Sequence, residues 1–410
     1  MDPVAQLLVV VAGLLIIGAA GEFIFSRTGI PDVVWLVLAG IIAGPIFEVV
    51  SPKVLEPAVP FFGAIALTII LSGGAQRLRL TEVAAAAPRA LLLSFVGFLF
   101  SVASIYAYFG LVTELGFVRP LSPLVWLTAG AIVGGNSALI LMPTLAGAGV
   151  EPRVSRLLEV ESSGTDALCI VVTMVLIDLL VTGRADLSRP FVALGREIGI
   201  GVAFGIVAAA ILIPGIPALR DKPHGYTFFL STELILYALT SLANGNGAMA
   251  VVTSALLAGN ASTLVPKIIP GAHAEAFERT EVSNVMQDQM TFLIKSFFFV
   301  LIGLMFPTSP RLMTLGALGA VVLLLFRIPA VKLSTMKLGL TQRQTRLLIV
   351  AMPRGLASGV LSTLPLKYGI AGTENFSPAV FALIVTSILL FAVGFAVVSR
   401  TSDGRAPTVP

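Results

Sequence analysis

Apolar runs of about 17–25 residues recur along the whole chain, the length a helix needs to cross a bilayer core of about 30 Å. Thirteen such segments are predicted, at 4–24, 31–49, 58–73, 90–112, 123–146, 157–182, 198–218, 227–243, 248–265, 290–306, 313–335, 345–365 and 378–399. They read as helices, because the strands of a membrane barrel would show alternating segments of about ten residues. The longest polar stretch lies near 266–289, and no soluble domain is expected at either end. The first run reads as a span rather than a removable signal peptide: it has no basic stretch before it, and many similar runs follow.

Two segments read as interrupted. Segment five carries Gly134-Gly135-Asn136-Ser137 in its middle, and segment twelve carries Pro353-Arg354-Gly355. Gly and Pro beside polar residues open a helix where protein or water satisfies the freed backbone. Breaks at corresponding places in two halves of a chain point to a transporter site. Segments 4–6 then correspond to segments 11–13. The plainer alternative is ordinary membrane-helix Gly and Pro, which are common.

Composition sharpens this picture. Of 410 residues, 57% are hydrophobic and only 12% charged, against about 25% charged in a soluble domain. One cysteine excludes an internal disulfide, and two histidines argue against a His-built metal site. The net charge of +4 fits basic cytoplasmic loops and calls for no nucleic acid. With the N-terminus outside, most of the 26 Lys and Arg fall in cytoplasmic loops and the tail. Arg77, Arg79 and Arg89 after segment three, and Lys332, Lys337, Arg343 and Arg346 after segment eleven, contribute most. The expected topology is N-outside, C-inside.

The intramembrane ionisable residues carry the chemistry, because each costs about 2.5–3.5 kcal/mol or more at the bilayer centre and needs a partner or a function. Segment six holds Glu159, Glu161, Asp166 and Asp178. Asp166 lies nine residues past Leu157, roughly 13–14 Å in, near the midplane. Ser162 is four residues before Asp166 and shares its face, with Ser163 nearby. Glu161 lies about 140° around the helix from Asp166 and faces another neighbour. The oxygen face of Ser162 and Asp166 suits a hard monovalent cation such as Na⁺. Withdrawal from water favours a protonated acid, so proton and cation can compete there. The alternative is that a basic partner neutralises Asp166, which then only holds helices together. The basic candidates are Arg327, Arg354 and Lys295. Arg327 is expected to pair with Glu161 and Arg354 to neutralise helix C-terminal ends at the break. Lys295, about five residues into segment ten, is expected to snorkel to the interface. For Glu233 the sequence leaves open a basic neighbour or a subunit contact.

These residues resemble the monovalent cation/proton antiporter superfamily, in particular the sodium/proton exchangers of the NhaP and NapA type. The resemblance covers nearly the whole chain, through TGIPDVVWLVLAGIIAGP (28–45), GGNSALILMPTL (134–145), LLEVESSGTDALCIVV (157–172), FFFVLIGLMF (297–306) and PRGLASGVLSTLP (353–365). Glu161, Ser162 and Asp166 match the family's Glu-Ser followed four residues later by Asp. The resemblance implies an all-α fold of about 13 transmembrane helices, with inverted repeats and two crossing unwound helices, forming a homodimer in the cell (inner) membrane. Segments 1–3 and 8–10 would form the dimerisation scaffold, segments 4–6 and 11–13 the ion-binding core, and segment 7 a linker. It implies exchange of Na⁺, or Li⁺ or K⁺, for H⁺ at Asp166, with no cofactor. Ser162 and the backbone carbonyl of Asn136 would ligate the ion beside Ser137. Glu161 would pair with Arg327, and Arg354 would lie near the crossing.

The chain departs from many relatives at two places. Asn136-Ser137 stands where they show Thr-Asp, and Thr165 precedes Asp166 where they show Asn or Asp. One titrating carboxylate implies electroneutral exchange, one cation for one proton. The competing readings are a coupled symporter or gated cation channel on a related fold, and an intramembrane enzyme. The enzyme reading is disfavoured: His224 and His273 lie in loops, and Asp178 is about 18 Å along the helix from Asp166, too far for an aspartate dyad.

Overall fold

The computed structural model describes residues 32–47, 59–76, 80–147, 150–182, 188–219, 222, 224–269, 273–277 and 280–400, with short pieces between 12 and 24. About half of the span expected at 4–24 therefore lies outside the described residues, as do Arg77 and Arg79. Among the described residues the regular structure is entirely helical.

In chain order the helices are α1 (Asp32–Ile41, continued as a wider π turn over Ile42–Ile46), α2 (Val59–Gln76), α3 (Leu80–Glu114), α4 (Pro123–Ile132), α5 (Ala138–Gly147) and α6 (Pro152–Thr182). There follow α7 (Ser188–Leu212), α8 (Gly225–Leu242), α9 (Gly247–Gly259), α10 (Ala261–Ile268) and α11 (Glu281–Leu304). The last are α12 (Pro310–Ser334), α13 (Gln342–Val350), α14 (Leu356–Leu361) and α15 (Phe376–Arg400). Six helices among the described residues are long and apolar enough to cross a membrane, and the bent pair α9–α10 makes a seventh.

Local chemistry sets several boundaries. The break between α4 and α5 falls on Gly134–Ser137, and that between α13 and α14 on Ala351–Gly355. Two features differ from the sequence expectation. Helix α11 starts at Glu281, inside the stretch read as a loop, because the Thr280 hydroxyl accepts from the Ser283 N–H at 3.3 Å and Glu281 sits in the first turn. Lys295 is consequently far from the helix start and only 6% exposed, so it does not snorkel as an end residue. The second feature is a bend of 71° between α9 and α10 within a run read as continuous. Asn260 stands at the bend; its Oδ1 accepts the Leu80 N–H at 3.1 Å, capping the start of α3.

The chain divides into two compact units. One comprises the described residues of Met1–Val59, Ala87–Ala185 and Phe299–Pro410; the other comprises Pro60–Ala86 and Asp186–Phe298. In the first, α12 packs along α15, and α6 packs against α4 and α5. In the second, α9 packs against α7 and α8.

Candidate cation and proton site

The site is built in the first unit, where the two interrupted helices meet. The Ser137 N–H donates to the Pro353 carbonyl at 2.8 Å, one backbone bond joining the two breaks. Two further freed amides are also satisfied. The Asn136 N–H donates to Thr165 Oγ1 at 3.1 Å, and the Arg354 N–H donates to Ser387 Oγ at 2.9 Å. Pro353 has no N–H to satisfy. Unwound backbone is thereby tolerated at membrane depth. Gly355 lies directly against the Ser137 side chain, with no room for a Cβ.

A buried chain of charges crosses behind these breaks. Arg327 donates to both carboxylate oxygens of Glu161, Nη1 to Oε1 at 2.7 Å and Nη2 to Oε2 at 3.0 Å. Glu161 is 0% and Arg327 6% exposed. This forked, charge-assisted geometry is the strong form of a carboxylate–guanidinium pair. Arg327 Nε also donates to the Leu348 carbonyl at 2.9 Å, in the last turn of α13. Asn136 extends the chain: its Nδ2 donates to Glu161 Oε1 at 2.9 Å, and its Oδ1 accepts from Arg354 Nη1 at 3.0 Å. Arg354 Nη2 reaches Ser101 Oγ at 3.2 Å. Arg327 thus keeps the expected pairing with Glu161 and in addition takes the helix-end contact expected of Arg354. Arg327 takes a terminal carbonyl, and Arg354 turns to the side chains of Asn136 and Ser101.

Asp166 lies beside this chain, within electrostatic reach of Arg354. It keeps part of its surface exposed, whereas Glu161 and Ser162 are fully buried. It lies against the first break: a Cβ on Gly135 would stand 3.2 Å from Asp166 Oδ1 and 2.9 Å from Cys169 Sγ. Ser162 Oγ, one turn earlier on α6, is buried and has no hydrogen-bond partner among the described residues. Thr165 ties α6 to the break, accepting from Asn136 and donating to the Ser162 carbonyl at 3.1 Å. Among the described residues no three His, Cys, Asp or Glu side chains gather as a metal-holding cluster.

The sequence pattern shared by the transmembrane part of sodium/hydrogen exchangers matches residues 10–400. The chain belongs to the sodium/hydrogen exchanger family. The resemblance read from the Glu-Ser and Asp pattern therefore holds over almost the full length of this exchanger-family chain. It is 27% identical over 398 residues to a protein of Shewanella oneidensis named K(+)/H(+) antiporter NhaP2, covering 94% of this chain and 65% of that one. It is 26% identical over 294 residues to a probable Na(+)/H(+) antiporter 2 of Methanocaldococcus jannaschii, covering 70% of this chain and 66% of that one. The chain thus spans about two thirds of the length of these relatives. The solved sodium proton antiporter MjNhaP1 of Methanocaldococcus jannaschii superposes with a TM-score of 0.74 at 22% identity, covering 97% of this chain and 99% of that one. That likeness establishes the all-helical fold, and the family and the long apolar helices make the chain a multi-pass membrane protein.

Several site residues of this exchanger-family chain escape a reading by local spacing. The Asn136 side chain works as a bridge between Glu161 and Arg354, where sequence reasoning gave weight only to its backbone. Ser94 and Ser101 also join in; Ser94 Oγ donates to the Ala90 carbonyl at 2.9 Å and lies 3.2 Å from the Glu161 carbonyl. A signal for them exists: Ser94, Gly97, Ser101 and Ser104 recur at helical spacing on α3, a small-residue face that admits a close neighbour.

Proposed function

We propose that this protein exchanges a monovalent cation for H⁺ across the cell (inner) membrane, with Na⁺ the leading substrate and K⁺ and Li⁺ the alternatives. The relatives named as K⁺/H⁺ and Na⁺/H⁺ antiporters support the class and bracket the ion. The single observation carrying the site is that Asp166, partly exposed, shares a helix face with the buried, unpartnered Ser162 hydroxyl one turn away. Those oxygens suit a hard cation and offer nothing to a soft one. The Glu161 carboxylate, held at both oxygens by Arg327, is assigned to positioning the breaks rather than to the cargo.

In this reading Asp166 binds either the proton or the cation, and the site crosses only when the carboxylate is neutralised. Moving a bare carboxylate through a dry gate carries the desolvation cost of a buried charge. The inverted repeats relate segments 4–6 to segments 11–13, and this core moves against a scaffold that forms the homodimer. The N-terminus is outside and the C-terminus cytoplasmic, following the basic loops. No enzymatic step is part of this function.

The test is reconstitution in liposomes with a pH-sensitive dye, comparing Na⁺, Li⁺, K⁺ and choline. Asp166→Asn is expected to abolish cation-dependent proton flux while the protein stays folded and dimeric. Flux retained in that variant overturns the assignment, and cation flux without obligatory proton coupling points instead to a channel.

A further inference from the structure

The second unit contains a buried carboxyl that the exchange reading does not use. Glu233 lies eight residues into α8, about 12 Å along a helix of 18 residues and so near its middle. It is 0% exposed. Its Oε1 accepts from Ser254 Oγ of α9 at 2.9 Å, and Ser254 is equally buried. Its Oε2 is buried and has no hydrogen-bond partner among the described residues. An ionisable side chain at this depth marks a site by default, and its partner has to be named.

Among the described residues, the helices packed most closely against α8 place no charged side chain beside Glu233. Helix α9, GAMAVVTSALLAG, has no titratable residue. On α7 the described charged side chains are Arg196 and Glu197, in its first half and about 16 Å by helical rise from Ala208. That half meets the other end of α9, where the Glu197 carbonyl accepts the Asn246 N–H at 2.9 Å. Asn246 is eight residues before Ser254, about 12 Å away by helical rise. Beside Glu233 itself, α7 is apolar: Leu236, the next turn of α8, packs with Ala208 and Phe204. On α8 the nearest titratable neighbour is Tyr237, one turn on, which adds no charge when neutral.

We propose that Glu233 is a second intramembrane proton site, carrying the neutral carboxylic acid with the proton on Oε2 and Ser254 donating to Oε1. A neutral hydroxyl lacking a partner is far less costly in this setting than an unpaired carboxylate. A bound metal cation fits less well. It needs several oxygens, and the next buried hydroxyl on that face of α8, Thr240, is seven residues on, about 10 Å away. The proposal is independent of Asp166, which belongs to the other unit.

Infrared spectroscopy of the whole protein in lipid, at neutral and alkaline pH, tests it. A protonated carboxyl stretch is expected that is lost in Glu233→Gln and kept in Asp166→Asn. Ser254→Ala, which removes the donor to the carbonyl oxygen, should move that band to higher frequency without abolishing it, and this arm decides if Glu233→Gln fails to fold. A spectrum unchanged by Glu233→Gln, or by Ser254→Ala where only that variant folds, overturns the proposal, since Glu233 would then be ionised or hold a cation.

Discussion

Asn136 carries no charge, yet it joins the acid of one ion pair to a second arginine, giving the order Arg327, Glu161, Asn136, Arg354. Removing one member leaves a buried charge exposed to apolar surroundings. Glu161→Ala is expected to destabilise the protein by about 3–5 kcal/mol, because Arg327 loses its counter-ion. Replacing the pair together, Glu161→Leu with Arg327→Met, should recover much of that loss, as read from thermal unfolding in detergent. Equal destabilisation by the single and double variants contradicts the pairing. At this scale much of the site is legible in the sequence. The four-residue spacing puts Ser162 and Asp166 on one face, and an arginine deep in an apolar run demands an acid. The role of Asn136 is not legible, because its contact with Arg354 spans 218 positions and helical spacing speaks only to neighbours within a few turns. Nor does the sequence reveal that Arg327, rather than Arg354, takes a helix-end carbonyl.

Interrupted helices are readable where glycine, proline and polar residues cluster. Gly134–Ser137 and Pro353–Gly355 both announce a break, and both breaks are present. The bend at Asn260 gives no such notice, since a lone asparagine in an apolar run looks like an isolated polar residue. Its effect depends on the amide of Leu80, a partner remote in sequence. The start of α11 was hidden for another reason: Glu281–Gln289 is polar, so hydropathy ends the span while the Thr280 cap continues the helix outward. The contact of Gly355 with Ser137 makes an element-scale prediction. Gly355→Ala should force the breaks apart and lower both the unfolding temperature and exchange. Adding Ser137→Gly should restore much of both by vacating the space. Loss in the double variant equal to that in Gly355→Ala counts against this packing.

For the whole molecule, composition alone identifies a membrane protein, and the family follows from a few short motifs distributed from end to end. The division into two units is less visible, because both are equally apolar and the first is assembled from three separate stretches of chain. In the exchange proposed for the first unit, Asp166 is the carboxylate assigned to transport, and Glu161 is held by Arg327. The expected stoichiometry is therefore one cation for one proton. Solid-supported membranes carrying the protein should show no sustained current under a Na⁺ or K⁺ gradient, and a sustained current contradicts electroneutral exchange.

The ion pair also has a consequence for the order in which the protein is made. Glu161 leaves the ribosome 166 positions before Arg327. Asn136 precedes Arg354 by 218, and the Ser137 amide has to wait for the Pro353 carbonyl. Helix α6 is thus synthesised while its counter-ion does not yet exist, and an unpaired charge in hydrocarbon is costly. The contacts that join the two breaks can form only late in biosynthesis, and a nascent chain halted before α12 holds its acid with no Arg327 to meet it.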